Sequence, residues 1–323
     1  MTKRTERDGM GQRGRSRKAQ GEKSGSSRHL GAWIVTVVLL AVLGTGGYFV
    51  YRTVTGTLRS EDCTATGADG SQSTIVNDRM ANAATIAAVA RAKSLPERAT
   101  IIALATAQQE SKIRNLDYGD RDSVGLFQQR PSQGWGTAEQ IADPVYSSGK
   151  FFYALLNVKN WQTIDVGKAA QAVQRSADAS GSSYAQWEPM ATVLATTLDG
   201  KGGTQLTCRY NDPKLSPEAV GANGLTPRAE AVGTALVKQF SANGAGSAPQ
   251  YAHTTDGLTL RIASGQGLTD PRVLAAWAVA SAKNLDIDKV AYADQVWTRG
   301  SGKWQSSSTP VNGTVDVSVV KGG

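Results

Sequence analysis

The sequence predicts a chain in three parts: one N-terminal transmembrane helix, a mainly α domain, and a smaller α+β C-terminal domain. Three observations predict it. Residues 30–51 hold no charged residue and no proline. Residues 77–198 carry apolar side chains at mostly helical spacing, and residues beyond 225 mix helical with strand-like patterns. The 323 residues suffice for an anchor plus two domains of ordinary size, and 40% apolar content with seven Trp can build packed cores. There is no internal repeat.

Charge supports the anchor and argues against a nucleic-acid partner. Residues 1–28 hold nine Lys/Arg against three acids, a net +6 of the chain's +8. Only +2 is left for the remaining residues, too little for a surface that tracks phosphates. No nucleic acid is therefore expected, and anionic lipid is the nearer neighbour of the basic tail, residues 1–29. Within residues 30–51, Trp33 to Tyr51 would span about 28 Å as a helix, the thickness of a hydrocarbon core. Trp33 at one end, with Tyr48, Tyr51 and Arg52 at the other, gives interfacial belts. A cleaved signal peptide is the rival, but the apolar run is longer than a typical h-region and no small-x-small site follows closely. The positive-inside rule puts residues 1–29 in the cytoplasm and residues 52–323 outside, so the localisation read from sequence is a single-pass cell-membrane protein.

That topology gives meaning to the two cysteines. Cys63 and Cys208 lie on the outer side, where disulfides persist, and are expected to bond to each other. Residues 52–74 read as a linker, residues 75–210 as the helical domain, 211–224 as a second linker and 225–323 as the α+β domain. Asn77 is expected to cap a helix carrying Met80, Ala83, Ile86, Val89 and Ala90. Pro96 opens a helix from Glu97 to about Lys112. Further helices are expected at Ala138–Ile141, Ser147–Leu156, Val166–Ser176 and Tyr184–Leu198, with an irregular segment at Asn115–Gly136. Beyond 225, helices are expected at Pro227–Phe240 and Asp270–Lys283, and strands at Leu258–Ile262, Val290–Tyr292 and Val315–Val320.

Glu110 is the candidate for chemistry. It lies late in its helix, with Ala103, Thr106 and Ala107 one turn or so back, and small neighbours leave room for a bulky ligand. A carboxylic acid beside apolar walls has its charged form disfavoured, which suits a general acid near neutral pH. The plain alternative is an exposed helix glutamate, the commoner case. Asp117, Asp120 and Asp122 follow. Either one of them positions water opposite Glu110, as in inverting glycosidases, or the Asp-rich stretch is turn chemistry. Its spacing does not fit an EF-hand.

The surrounding residues resemble a known family. Ala107-Gln108-Gln109-Glu110-Ser111, then Ser123-Val124-Gly125-Leu126-Phe127-Gln128-Gln129-Arg130-Pro131, then Asp143-Pro144 with Gly149 and Tyr153-Ala154-Leu155 are similar to goose-type lysozymes and soluble lytic transglycosylases. The likeness covers about residues 75–200. It implies a lysozyme-like domain acting on peptidoglycan glycan strands, with Glu110 protonating the MurNAc-GlcNAc glycosidic oxygen. The muramoyl 6-hydroxyl then closes an anhydro ring, so no second carboxylate is needed, unlike the two-carboxylate scheme. It also implies that Ser111, Ser123 and Gln128 line the glycan cleft. The family's Ala-Ala-Tyr-Asn-Ala-Gly motif aligns with Ala169-Ala170-Gln171-Ala172-Val173-Gln174, which lacks the Tyr-Asn pair; Gln174 or Tyr184 are the candidates to substitute.

Gly224-Leu225-Thr226-Pro227-Arg228-Ala229, Ala276-Trp277-Ala278-Val279-Ala280-Ser281-Ala282, Asp288–Trp297, Trp304 and Val315-Asp316-Val317-Ser318-Val319 resemble a cell-wall domain related to zinc D-alanyl-D-alanine carboxypeptidases. That scheme pairs a His with an Asp a short offset on and ends in His-x-His. Here Leu260 stands at that offset from His253, and Thr314 and Asp316 stand in for the terminal histidines. His29 and His253 are the chain's two His, so no metal and no cofactor is expected. The domain reads as a degenerate, non-catalytic binder of wall peptide or of a partner. Two functions follow: a membrane-anchored lytic transglycosylase, or a wall-binding scaffold in a division, secretion or transfer complex of the envelope.

Overall fold

The computed structural model of the protein describes residues 45–48, 61–176, 179–201, 205–241, 249–263 and 270–323. The chain divides into two units, residues 1–59 and 60–323. Of the first, Thr45–Tyr48 form one helical turn. The basic tail and the rest of the expected span at 30–51 lie outside the described residues. Among the described residues no helix is long and apolar enough to cross a membrane.

In the second unit, residues read from sequence as linker form a hairpin. β1 (Asp62–Thr66) pairs antiparallel with β2 (Gln72–Val76). Asp69 tightens the turn by accepting hydrogen bonds from the Ser71 amide and hydroxyl. The strand runs straight into α1 (Asn77–Ala92). Asn77 is not the cap expected of it. Its amide is used by Glu61 O at the end of the strand pairing, so Val76 takes the cap position and Asn77 Nδ2 donates to Arg209 O at 2.9 Å.

α2 (Glu97–Ser111) follows, with Ala99, Ile102, Ala103, Leu104, Ala105 and Ala107 fully buried. A helix apolar on every side must be surrounded. It is, by α4 (Pro144–Leu156), α5 (Val166–Gln174), α6 (Ser182–Ala185) and α7 (Glu188–Leu198). α3 (Ala138–Ile141) starts with a capping box between Thr137 and Gln140, and Asp143 caps α4 with Pro144 in first position. The single helix expected over Tyr184–Leu198 is divided into α6 and α7. Pro189 has no N–H to offer the Ala185 carbonyl, so the helix cannot run through.

β3 (Leu206–Cys208) then returns to the free edge of β1, giving the order β2-β1-β3. Cys63 and Cys208 face each other in register and are disulfide-bonded across 145 residues of chain. Beyond lie α8 (Pro227–Phe240), β4 (Tyr251–His253), β5 (Thr259–Ala263), α9 (Pro271–Ala280), β6 (Ile287–Thr298) and β7 (Trp304–Val319), the strands forming an antiparallel sheet β4-β5-β7-β6.

α9 is buried from Val273 to Ala280 and packs against α1, α7, β3, β6 and β7. Around it, side-chain donors tie neighbouring segments together. Tyr210 Oη donates to Val279 O at 2.6 Å, Trp304 Nε1 to Leu206 O at 3.0 Å, and buried Arg299 to Asn211 O, Ala282 O and Ile287 O. One continuous apolar cluster runs from Cys63 to Val319.

These findings correct the expected fold class of a transmembrane helix, a mainly α lysozyme-like domain and a smaller α+β domain. Among the described residues of the second unit there are nine α-helices and seven strands in two sheets, sharing one core. The first sheet was missed for a physical reason. Its strands, DCTAT, QSTIV and LTC, are short and rich in Thr and Ser, so their alternation reads as polar connection. The shared core was missed because α9, buried from Val273 to Ala280, joins the two regions.

Candidate functional site

The C-terminal end of α2 is where the fully buried helix emerges. Gln109 and Glu110 are half-buried there, while Ser111 turns back into the core. The helix ends on two successive left-handed residues, Lys112 (φ 58°) and Ile113 (φ 57°). That conformation is uncommon for a β-branched residue and needs support from outside. Asn82 Nδ2 supplies it by donating to Ile113 O at 2.9 Å, and the Ile113 amide returns to Ala107 O. The result is a sharply defined stop that fixes Glu110 and Ser111.

Ser111 Oγ donates to Leu126 O at 2.7 Å, tying the stop to a small loop. That loop is closed by paired Val124 and Gln129, with Gly125 and Gln128 at positive φ. Phe127, fully buried, stacks on Phe151 of α4 with ring centroids 4.5 Å apart. Gln174, at the end of α5, donates to Phe127 O at 2.8 Å. The loop is thus held by α2, α4 and α5 together.

Tyr184 is the residue that reaches the acid. Its hydroxyl donates to Glu110 Oε1 at 2.7 Å, and the ring is buried. The seat of α6 depends on a glycine crossing. A Cβ on Gly181 (φ 74°) would lie 2.4 Å from Gly167 O, so only glycine lets α6 close on α5. Three residues on, Trp187 Nε1 donates to Gln109 Oε1 at 2.8 Å, and Lys112 Nζ stands 4.8 Å over the Trp187 ring. Among the described residues Glu110 Oε2 accepts no protein hydrogen bond.

The candidates from sequence therefore separate. Glu110 and Tyr184 are brought together. Ser111 and Gln174 reach the Leu126–Phe127 backbone rather than open space. Gln128 Nε2 donates to Tyr118 O (3.2 Å) and Gly125 O (3.4 Å), so it shapes the 115–136 segment, and Ser123 is buried in that same segment. Ala103, Thr106 and Ala107, read as leaving room beside Glu110, are all fully buried and serve close packing of α2. Asp122 belongs to the turn. Its hydrogen bond from Arg130 (2.8 Å), helped by the Ser132 amide and hydroxyl, holds the carboxyl well below the usual range. Asp117 and Asp120 are exposed. Among the described residues no cluster of three His, Cys, Asp or Glu is placed to hold a metal. Trp187 was missed by sequence reasoning; its i,i+3 spacing from Tyr184 was the available signal.

No protein-family model matches the chain, and no curated protein matches it either.

Proposed function

We propose that the protein is a peptidoglycan-processing glycosidase of the lytic transglycosylase type, acting outside the cytoplasm at the cell membrane, with Glu110 as its general acid. The observation that carries this reading is the 2.7 Å hydrogen bond from buried Tyr184 to Glu110 Oε1 at the emerging end of α2. With Oε1 occupied as acceptor, the proton that Glu110 delivers resides on Oε2. It passes to the glycosidic oxygen as the bond to the muramoyl anomeric carbon breaks. The muramoyl 6-hydroxyl attacks that carbon, its proton returns to the Glu110 carboxylate, and an anhydro sugar results without consumption of water. The Cys63–Cys208 disulfide supports an oxidising compartment.

A second reading, a wall-binding scaffold of an envelope complex, draws support from Ser111, Gln128 and Gln174, whose side chains hydrogen-bond to backbone carbonyls. Incubating the full-length protein with peptidoglycan and analysing the products by mass spectrometry separates the two. Anhydro-muropeptides that fall by about a hundredfold or more in Glu110→Gln are expected for the transglycosylase. Reducing ends would indicate a hydrolase, and binding without cleavage would leave the scaffold.

A further inference from the structure

A different face of α4 from the one that carries Phe151 borders a groove of about 520 Å³. Val145, Tyr146, Gly149, Lys150 and Tyr153 line it, spaced so that they share one helical face, and Lys93 closes it from the end of α1. Its volume is that of a small-molecule site. Two lysines, Lys93 and Lys150, and one carboxylate, Asp143, are among its lining residues. Lys238 of α8 is neutralised by Asp143, 2.9 Å away, and Asp143 also caps α4 by accepting from the Val145 amide. Lys93 and Lys150 have no carboxylate partner among the described residues. Lys150 instead lies 5.5 Å over the Tyr146 ring. Lys93 is partly desolvated, and burial holds its ammonium below the ordinary lysine value. A desolvated cation without a counter-charge is a cost that an anion arriving in the groove would relieve.

The aromatic residues add shape. Tyr153, which lines the groove, is 69% exposed. Gly149 lies in the interior of α4, where glycine is unfavourable for the helix, and it removes a side chain from the wall of the groove. Flat rings beside unpaired ammonium groups form a surface suited to a sugar ring carrying a negative substituent.

From this arrangement we infer that the α4 groove is a second binding site, separate from Glu110, for an anionic saccharide: the ring rests on Tyr153 and the anion is held between Lys93 and Lys150. This inference does not depend on whether Glu110 is catalytic. It accounts for Asp143, Gly149 and Tyr153, residues singled out in the sequence that the chemistry at Glu110 does not use.

The test is calorimetric titration of the full-length protein with an oligogalacturonate, a glycerol-phosphate oligomer and, as neutral control, chitotetraose. Saturable binding of the oligogalacturonate is expected, weakened by salt. The double substitution Lys93→Gln with Lys150→Gln should lower affinity about tenfold, and Tyr153→Ala about threefold, with thermal unfolding unchanged. Binding of the carboxylated probe would assign the site to acidic sugars, whereas binding of the ring-less phosphate probe alone would mark a site for polyanions and overturn the saccharide assignment. Equal binding of chitotetraose, no binding of either anionic probe, or anionic binding that survives all three substitutions would overturn the inference.

Discussion

α2 and α9 are both helices that the core surrounds, yet they end differently. α9 is buried to its last residue, Ala280, and the carbonyl of Val279 accepts from Tyr210 in the interior. α2 is as deeply buried through Ala107, then surfaces for Gln109 and Glu110 before Ser111 returns inside. The comparison teaches that burial itself does not make a site. A rigid buried helix becomes useful where its last turn breaks the surface, because a side chain there inherits the fixed position of the core while remaining open to a ligand.

The two helices should therefore fail in opposite ways. Trp277→Ala in α9 removes a ring that packs edge-on to Phe240 and donates to Gln239. It is expected to cost about 3–5 kcal/mol in urea unfolding, with activity per folded molecule preserved. Replacing Cys63 and Cys208 together by Ser should cost about 2–4 kcal/mol. Because β3 packs on α9, hydrogen exchange should rise there before it rises along α2. Tyr184→Phe keeps the ring and loses the hydroxyl at Glu110, so about 1 kcal/mol of stability and roughly tenfold of turnover should go, shown by unfolding and product formation side by side. Unchanged turnover would separate Tyr184 from the chemistry.

The smallest effect concerns Asp122. Its carboxyl is held below its unfolded value, so its contribution is present above about pH 4 and is lost as pH falls through the folded value. Asp122→Asn should therefore lower the urea midpoint at pH 7 and matter less at pH 3. An equal loss at both values would remove the Arg130 pairing as its cause.

Much of this was legible in the sequence where one force dominates. The apolar spacing from Met80 to Ala90 fixed α1, and Pro96 and Pro227 marked helix starts because proline costs nothing there. Glu110 was singled out by its neighbours in sequence, and the Cys63–Cys208 bond followed from compartment. What could not be read depends on contacts distant along the chain. Strands β1 to β3 exist because they pair with one another, since their Thr- and Ser-rich sequences carry little hydrophobic signal. Tyr184 and Gln174 were equal candidates beside Glu110. The Gly167–Gly181 crossing seats α6 so that Tyr184 reaches the acid, while Gln174 donates to the Phe127 carbonyl.

The in-register Cys63–Cys208 bond has a mechanical consequence. Chain tension entering at residue 63 passes through the disulfide to residue 208, bypassing the helices and loop around Glu110. The chain between the two cysteines is thereby a closed ring, set apart from the covalent path of the load. When the chain is pulled from residues before 63 and after 208, Glu110 and Tyr184 stay in register while the strain is borne by a single covalent clasp.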